Sequence, residues 1–284
     1  MKKSFASLVA LGLFAFVAPA PAEPLVEFEL MTWPEVRDAL AAGKTTALIY
    51  TGGVEQRGPH NANGGHNLMA RGIVKEIALK LGNAIAMPVL PFSPNKASPQ
   101  FPGTIGLSNE LLDQILERMV EDTIVNGFKN VVLMGDHGGG QGEGDANVYR
   151  NVANRLNEKY RDQGIRVFYC DQVYMPANLA FMDYLAEKGF PAGARLGHGN
   201  LVDTSIMLYF DKDGTYVRKD LIANAVGRAL GPDGRPLPPE TPAHDNGIIG
   251  DARGSSAELG KIAVDMKVDY AVKQIREFVG AKTD

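Results

Sequence analysis

The chain has 284 residues, of which 45% are hydrophobic, 22% charged and 8% aromatic, with a formal net charge of −4. These fractions exclude collagenous, disordered and coiled-coil chains, and the length suffices for a buried core. The acidic balance offers no basic field for nucleic acid. The lone cysteine, Cys170, excludes an intramolecular disulfide and any multi-cysteine zinc site.

Lys2 and Lys3 open the sequence, an apolar run follows from Phe5 to Ala18, and small residues occupy Ala20 and Ala22. This is the pattern of a signal peptide over residues 1–22, with cleavage after Ala22. The run is shorter than the roughly 20 apolar residues a bilayer span needs, so stable membrane insertion is not expected. The mature protein, a single domain over residues 23–284, is expected in the periplasm or secreted. Beyond it, Thr45 to Tyr50 reads as a strand and Leu68 to Leu81 as a helix stopped by Gly82. Ala84 to Leu90 reads as a strand, and Asn109 to Val125 as an amphipathic helix capped by Ser108. Asn130 to Met134 is a buried strand, Asn147 to Tyr160 a helix, Ile165 to Cys170 a strand and Ala257 to Val279 a final helix. The Gly/Pro-rich stretch from Gly231 to Pro242 reads as a surface loop. Strands alternating with helices predict an α/β fold with a mostly parallel sheet covered on both faces.

In such sheets the loops after the strands build the site. One loop runs from Gly52 through Glu55, Arg57 and His60 to His66, at the mouth of the next helix. Another, from Gly135 to Gly140, carries His137. Glu55, His66 and His137 are one carboxylate and two imidazoles, the ligand set of a zinc site with an open position. His66 at a helix N-terminus would be held neutral by the dipole. The competing reading is three hydrogen-bonded polar residues in loops.

Five segments, in order along the chain, resemble motifs of the creatininase (creatinine amidohydrolase) family. They are Gly53-Val54-Glu55-Gln56-Arg57-Gly58-Pro59-His60, Phe101-Pro102-Gly103-Thr104-Ile105 and Asp136-His137-Gly138-Gly139. His198-Gly199-Asn200-Leu201-Val202-Asp203-Thr204-Ser205 and Gly247-Ile248-Ile249-Gly250-Asp251 complete the series. The resemblance implies a three-layer α/β/α sandwich and a metal-dependent hydrolase acting on the C–N bond of a small-molecule amide, cyclic or linear. It also implies a homo-oligomer.

In the family's two-metal pattern, Glu55 matches the first glutamate ligand and His137 the loop histidine. His66 falls where a bridging aspartate stands, Arg57 where the second metal's histidine stands, and Gly139 where creatininase has a glutamate ligand. One imidazole nitrogen cannot bridge two cations as a carboxylate can. The expectation is therefore one divalent metal per chain, zinc first with manganese or iron as alternatives, held by Glu55, His66 and His137. Arg57 would polarise a substrate carbonyl or hold a carboxylate. His198 matches a family histidine suited to proton transfer. Asp203 would orient His198 or cap the helix begun by Thr204 and Ser205, and His60 would contact substrate or brace the Glu55 loop. Glu143 and Asp145 read as solvated carboxylates and His244 as a rim residue. The rival to an enzyme is a non-catalytic small-molecule-binding descendant with a degenerate metal site.

Overall fold

The computed structural model describes residues 23–95, 100–232 and 235–280. The segment read as a signal peptide lies outside them. In chain order the regular elements are α1 (Trp33–Ala41), β1 (Thr46–Thr51), α2 (Gly65–Leu81), β2 (Ala84–Ala86), α3 (Asn109–Val125) and β3 (Asn130–Gly135). Then follow α4 (Val148–Tyr160), β4 (Arg166–Tyr169), α5 (Met175–Glu187), α6 (Ala192–Arg195), α7 (Leu201–Phe210) and α8 (Ala257–Gly280).

The four strands form one parallel sheet in the order β2-β1-β3-β4. Alternation along each strand sorts side chains to opposite faces. Leu48, Tyr50, Val132, Met134 and Phe168 join the core packed by α2, α7 and α8. Ile49, Val131, Leu133 and Val167 join the core packed by α3 and α4. This is the α/β/α layering expected from the sequence. It also follows from right-handed crossovers: β1 to β2 and β2 to β3 move in opposite directions along the sheet, so α2 and α3 fall on opposite faces.

Several boundaries shift for local reasons. The strand expected over Ala84 to Leu90 ends at Ala86, because Pro88 lacks the ladder donor; Leu90 keeps only an isolated bridge to Thr51. Ser108 and Asn147 cap α3 and α4 through backbone bonds to Leu111 and Arg150. The helix expected from Thr204 begins earlier, at Leu201, because the Asn200 side chain accepts from the amides of Val202 and Asp203.

Strand order reverses between β1 and β3, which lie side by side with Thr51 opposite Gly135. A switch point of this kind opens a crevice at the carboxyl ends of its strands. The Glu55 loop leaves β1 there, and Asp136 and His137 leave β3 there.

Candidate metal centre

Glu55 lies at the middle of the cluster. Its Oε1 is 2.9 Å from His66 Nε2 and 3.3 Å from His198 Nδ1, and its Oε2 is 3.3 Å from His137 Nε2. The Asn95 side-chain amide also donates to Oε2 at 2.7 Å. Burial alone would raise the Glu55 pKa. The hydrogen bonds from His137 and His66, with the Arg57 charge, reverse this and hold it far below the usual carboxylate range. One ligand atom each from Glu55, His66 and His137 lies within 4.8 Å of the others.

His66 sits in the first turn of α2, and its other nitrogen, Nδ1, is 2.9 Å from Asp136 Oδ2. A carboxylate on the far nitrogen is the usual support of a metal-ligating histidine, because it fixes the tautomer that leaves Nε2 free. Asp136 is itself buried and is held below its ordinary range against the pull of burial by Lys267 and His66. Its Oδ1 is 3.6 Å from Lys267 Nζ and accepts from the Tyr50 hydroxyl at 3.3 Å. The dipole argument for a neutral His66 is corrected here. Burial and Arg57 do favour the neutral ring, but the bonds to Asp136 and Glu55 outweigh them and raise its pKa.

His137 is set less firmly. Its Nδ1 is 3.0 Å from Ser93 Oγ, which can take the ring proton and leave Nε2 free for a metal. The Gly139 amide also donates to Nδ1 at 2.9 Å, which favours the opposite tautomer. The donor set fits a metal at Glu55, at His66 once an ion takes the place of the proton on Nε2, and at His137 in the tautomer that donates to Ser93.

Gly139, where the family pattern has a ligand, cannot carry a side chain in this backbone. A Cβ there would meet the Pro94 carbonyl oxygen at 1.7 Å. Arg57, on the ground of the second metal, is 0% exposed. Its guanidinium reaches Asp203 at 2.6 Å and Glu55 at 3.6 Å, with Gly65 leaving room for its stem. It therefore differs from the substrate-facing cation expected: its charge is taken up by protein carboxylates.

Asp203 likewise departs from both expected roles. Asn200 caps α7 in its place, and the Asp203 carboxylate accepts from the Gly199 amide at 2.7 Å while pairing with Arg57. His198 donates from Nε2 to the Gln56 carbonyl, which leaves Nδ1 toward Glu55 as a proton acceptor. His60 is corrected as a substrate contact because it is fully buried. Its Nε2 lies 2.9 Å from Thr204 Oγ1, so it braces the Glu55 loop against α7. Burial drives its pKa down to about 4. Glu143 and Asp145 are exposed and His244 half-buried, away from the cluster.

Lys267 and Asp136 are the site residues that sequence reasoning passed over. Lys267 stands in the apolar stripe of α8, between Ala263, Val264, Val268 and Ala271. A lone lysine at core spacing was the signal, since lysine is almost never buried unpaired. Beside the cluster opens a cavity of about 490 Å³, walled in part by His66, Asp136, Asp203 and Lys267.

The fold and the cluster define a class: a parallel α/β protein with a buried carboxylate–imidazole centre at its sheet switch point. A family model described as "Creatininase: Creatinine amidohydrolase" matches residues 29–275. The chain belongs to the creatininase family. It is 28% identical over 260 residues to a creatinine amidohydrolase of Pseudomonas putida, covering 87% of this chain and 95% of that one. It is 22% identical over 277 residues to a 3-dehydro-scyllo-inosose hydrolase of Thermotoga maritima, covering 89% and 84%. A solved glutamate-to-glutamine creatininase variant described as "Zn-Zn type" shares the fold, with a TM-score of 0.68 at 23% identity over 90% of this chain and 98% of that one.

Proposed function

We propose that the protein is an exported hydrolase of amide C–N bonds, cyclic amides included, that works with a single divalent metal, zinc first. The observation that carries this reading is the Asp136–His66–Glu55 chain with His137 alongside, whose donors converge within 4.8 Å. When bound there, a divalent ion would supply positive charge to polarise an amide carbonyl and acidify water. Glu55, His66 and His137 would hold it. His198, with its Nε2 proton fixed on the Gln56 carbonyl, would take a proton at Nδ1 and return it to the leaving nitrogen. Arg57 holds Glu55 ionised and in place, as a positioning residue.

Charge supports one ion rather than two. Glu55, Asp136 and Asp203 face the fixed cations Arg57 and Lys267 in a buried cluster, leaving one unit of negative charge. One dication inverts that by a single unit, whereas two would leave three uncompensated positive charges away from water. At two of the family's ligand positions, Gly139 and Arg57 offer no donor to a second ion, which supports the single-ion reading.

Both relatives named above are hydrolases by description, and one is an amidohydrolase. The amino-terminal pattern supports export with Glu23 as the new terminus, which intact mass of the exported protein would check. Among the described residues no helix is long and apolar enough to cross a membrane. A homo-oligomer is also proposed; exposed Trp33 and Val125 are apolar groups that an interface would cover.

Elemental analysis of the purified protein, paired with an amide and lactam screen with and without chelator, tests the reading. About one metal per chain and chelator-sensitive hydrolysis are expected, with His137→Ala losing most of the metal. Two metals per chain, or full occupancy in His137→Ala, overturns the single-metal centre. A metal-free, inert protein returns the chain to the non-catalytic binder.

A further inference from the structure

The cavity beside the centre is larger than a metal site needs, and its wall divides into two kinds of surface. One end carries His66, Asp136, Asp203 and Lys267. Much of the rest is apolar and rich in methionine, with Met69, Met175, Met182, Leu179, Ile206 and Leu230, interrupted by Asn178, Asn200 and Arg195. Its volume of about 490 Å³ falls within the range of small-molecule sites. Three methionines suit an apolar group of no fixed shape, because the unbranched thioether repacks easily.

The formal charges in the wall pair off, with one exception. Asp136 faces Lys267 at 3.6 Å, and Asp203 faces Arg57 at 2.6 Å. Arg195, at the end of α6, also lines the cavity. Among the described residues it makes no ion pair, and its Nε is buried with no hydrogen-bond partner. A half-buried guanidinium beside an apolar wall, with no ion pair and an unbonded Nε, suits an anion with planar oxygens.

We propose that this cavity binds an amphipathic carboxylate, its apolar body among the methionines and its acid group on Arg195. Resting on the hydrolase reading, the substrate class is then an amide that carries an apolar chain and a carboxylate remote from the scissile bond. His66 is shared between the cavity wall and the metal cluster, so a molecule anchored at Arg195 reaches the centre from the α5–α6 side. The binding claim itself needs no chemistry at the metal, and the two readings therefore fail separately.

The test is calorimetric titration of the chelator-treated full-length protein with octanoate, 1-octanol and acetate. Octanoate should bind, 1-octanol more weakly, and acetate not measurably. Arg195→Met should weaken octanoate at least tenfold and leave 1-octanol unchanged. Leu179, 51% exposed at the cavity mouth, gives a second variant: Leu179→Glu should repel octanoate and spare 1-octanol far more. Absence of octanoate binding, acetate binding as tightly as octanoate, or indifference of octanoate to both substitutions overturns the proposal. None of those results touches the metal content or hydrolysis on which the hydrolase reading stands.

Discussion

The metal cluster has two flanks, each closed by a buried cation on a carboxylate, and they are built differently. On one, Arg57 comes from the same short loop as Glu55 and meets Asp203 at the start of α7. On the other, Lys267 comes from α8, far along the chain, and meets Asp136 just after β3. The Arg57 pair ends at the cavity wall, where Asp203 keeps 20% side-chain exposure. The Asp136–Lys267 pair borders the same cavity but is more deeply buried, at 2% and 4%. The first flank fixes the charge next to Glu55, and the second fixes the tautomer of His66. The candidate metal site thus lies between an electrostatic support and a hydrogen-bonding one.

Removing each cation should break the two flanks unequally. Lys267→Met leaves Asp136, only 2% exposed, with His66 and Tyr50 as its remaining side-chain partners, and should cost roughly 3–5 kcal/mol of stability. Arg57→Met leaves Asp203 able to draw on water through the cavity and on the Gly199 amide, so the loss should be smaller, about 2 kcal/mol. Urea unfolding of both variants at neutral pH checks the order. Equal losses would mean that the two flanks are alike in dielectric, whatever their exposure.

The same contrast explains what the sequence could and could not reveal. The strands were legible because buried runs such as Ala47–Tyr50 and Val131–Met134 have no polar interruption. Glu55, His66 and His137 were legible because each follows directly on a strand or opens a helix. Asp136 could have been placed by alternation: Val132 and Met134 face the α8 layer, and a residue two further on continues toward it. Lys267 breaks the apolar stripe of α8 and so announced a buried partner, although not which one. The fate of Arg57 was not legible. Whether an arginine beside a metal ligand faces substrate or protein depends on a carboxylate 146 positions away in the chain, and only the packing of α7 supplies it.

A second test lies on the Arg57 flank and uses His60. Burial lowers its pKa from 6.5 to about 4, so the folded protein keeps the ring neutral where the unfolded chain would protonate it. The folded state then binds fewer protons, and the contribution is fully present above pH 6.5 and lost as pH falls toward about 4. The loss should total on the order of 3 kcal/mol. His60→Gln, which can still meet Thr204, should flatten that part of the stability profile. An unchanged slope between pH 6.5 and 4 would place the acid sensitivity elsewhere. Asp203 and Asp136 are held below their ordinary values, so their contributions fall away only below about pH 5, and the slope between pH 6.5 and 5 reports His60 apart from them.

The smallest expected effect separates the flanks by metal affinity rather than stability. Asp136→Asn retains an oxygen that can accept the His66 Nδ1 proton but removes the negative charge that makes Nε2 a better donor. Replacing such a supporting carboxylate typically weakens metal binding roughly 10- to 100-fold. Asp203→Asn, on the other flank, touches no candidate ligand directly; it bonds Gly199 and Arg57. Its effect should reach the metal only through a slightly freer Arg57, and stay within roughly threefold, under the 1.4 kcal/mol of a tenfold change. Competition against a chromophoric chelator with zinc gives both values on one scale. Equal effects from the two substitutions would show that bulk charge around the cluster, rather than the orientation of His66, sets the affinity. A loss confined to Asp136→Asn would assign the metal to the hydrogen-bonded flank, with Arg57 acting on Glu55 alone.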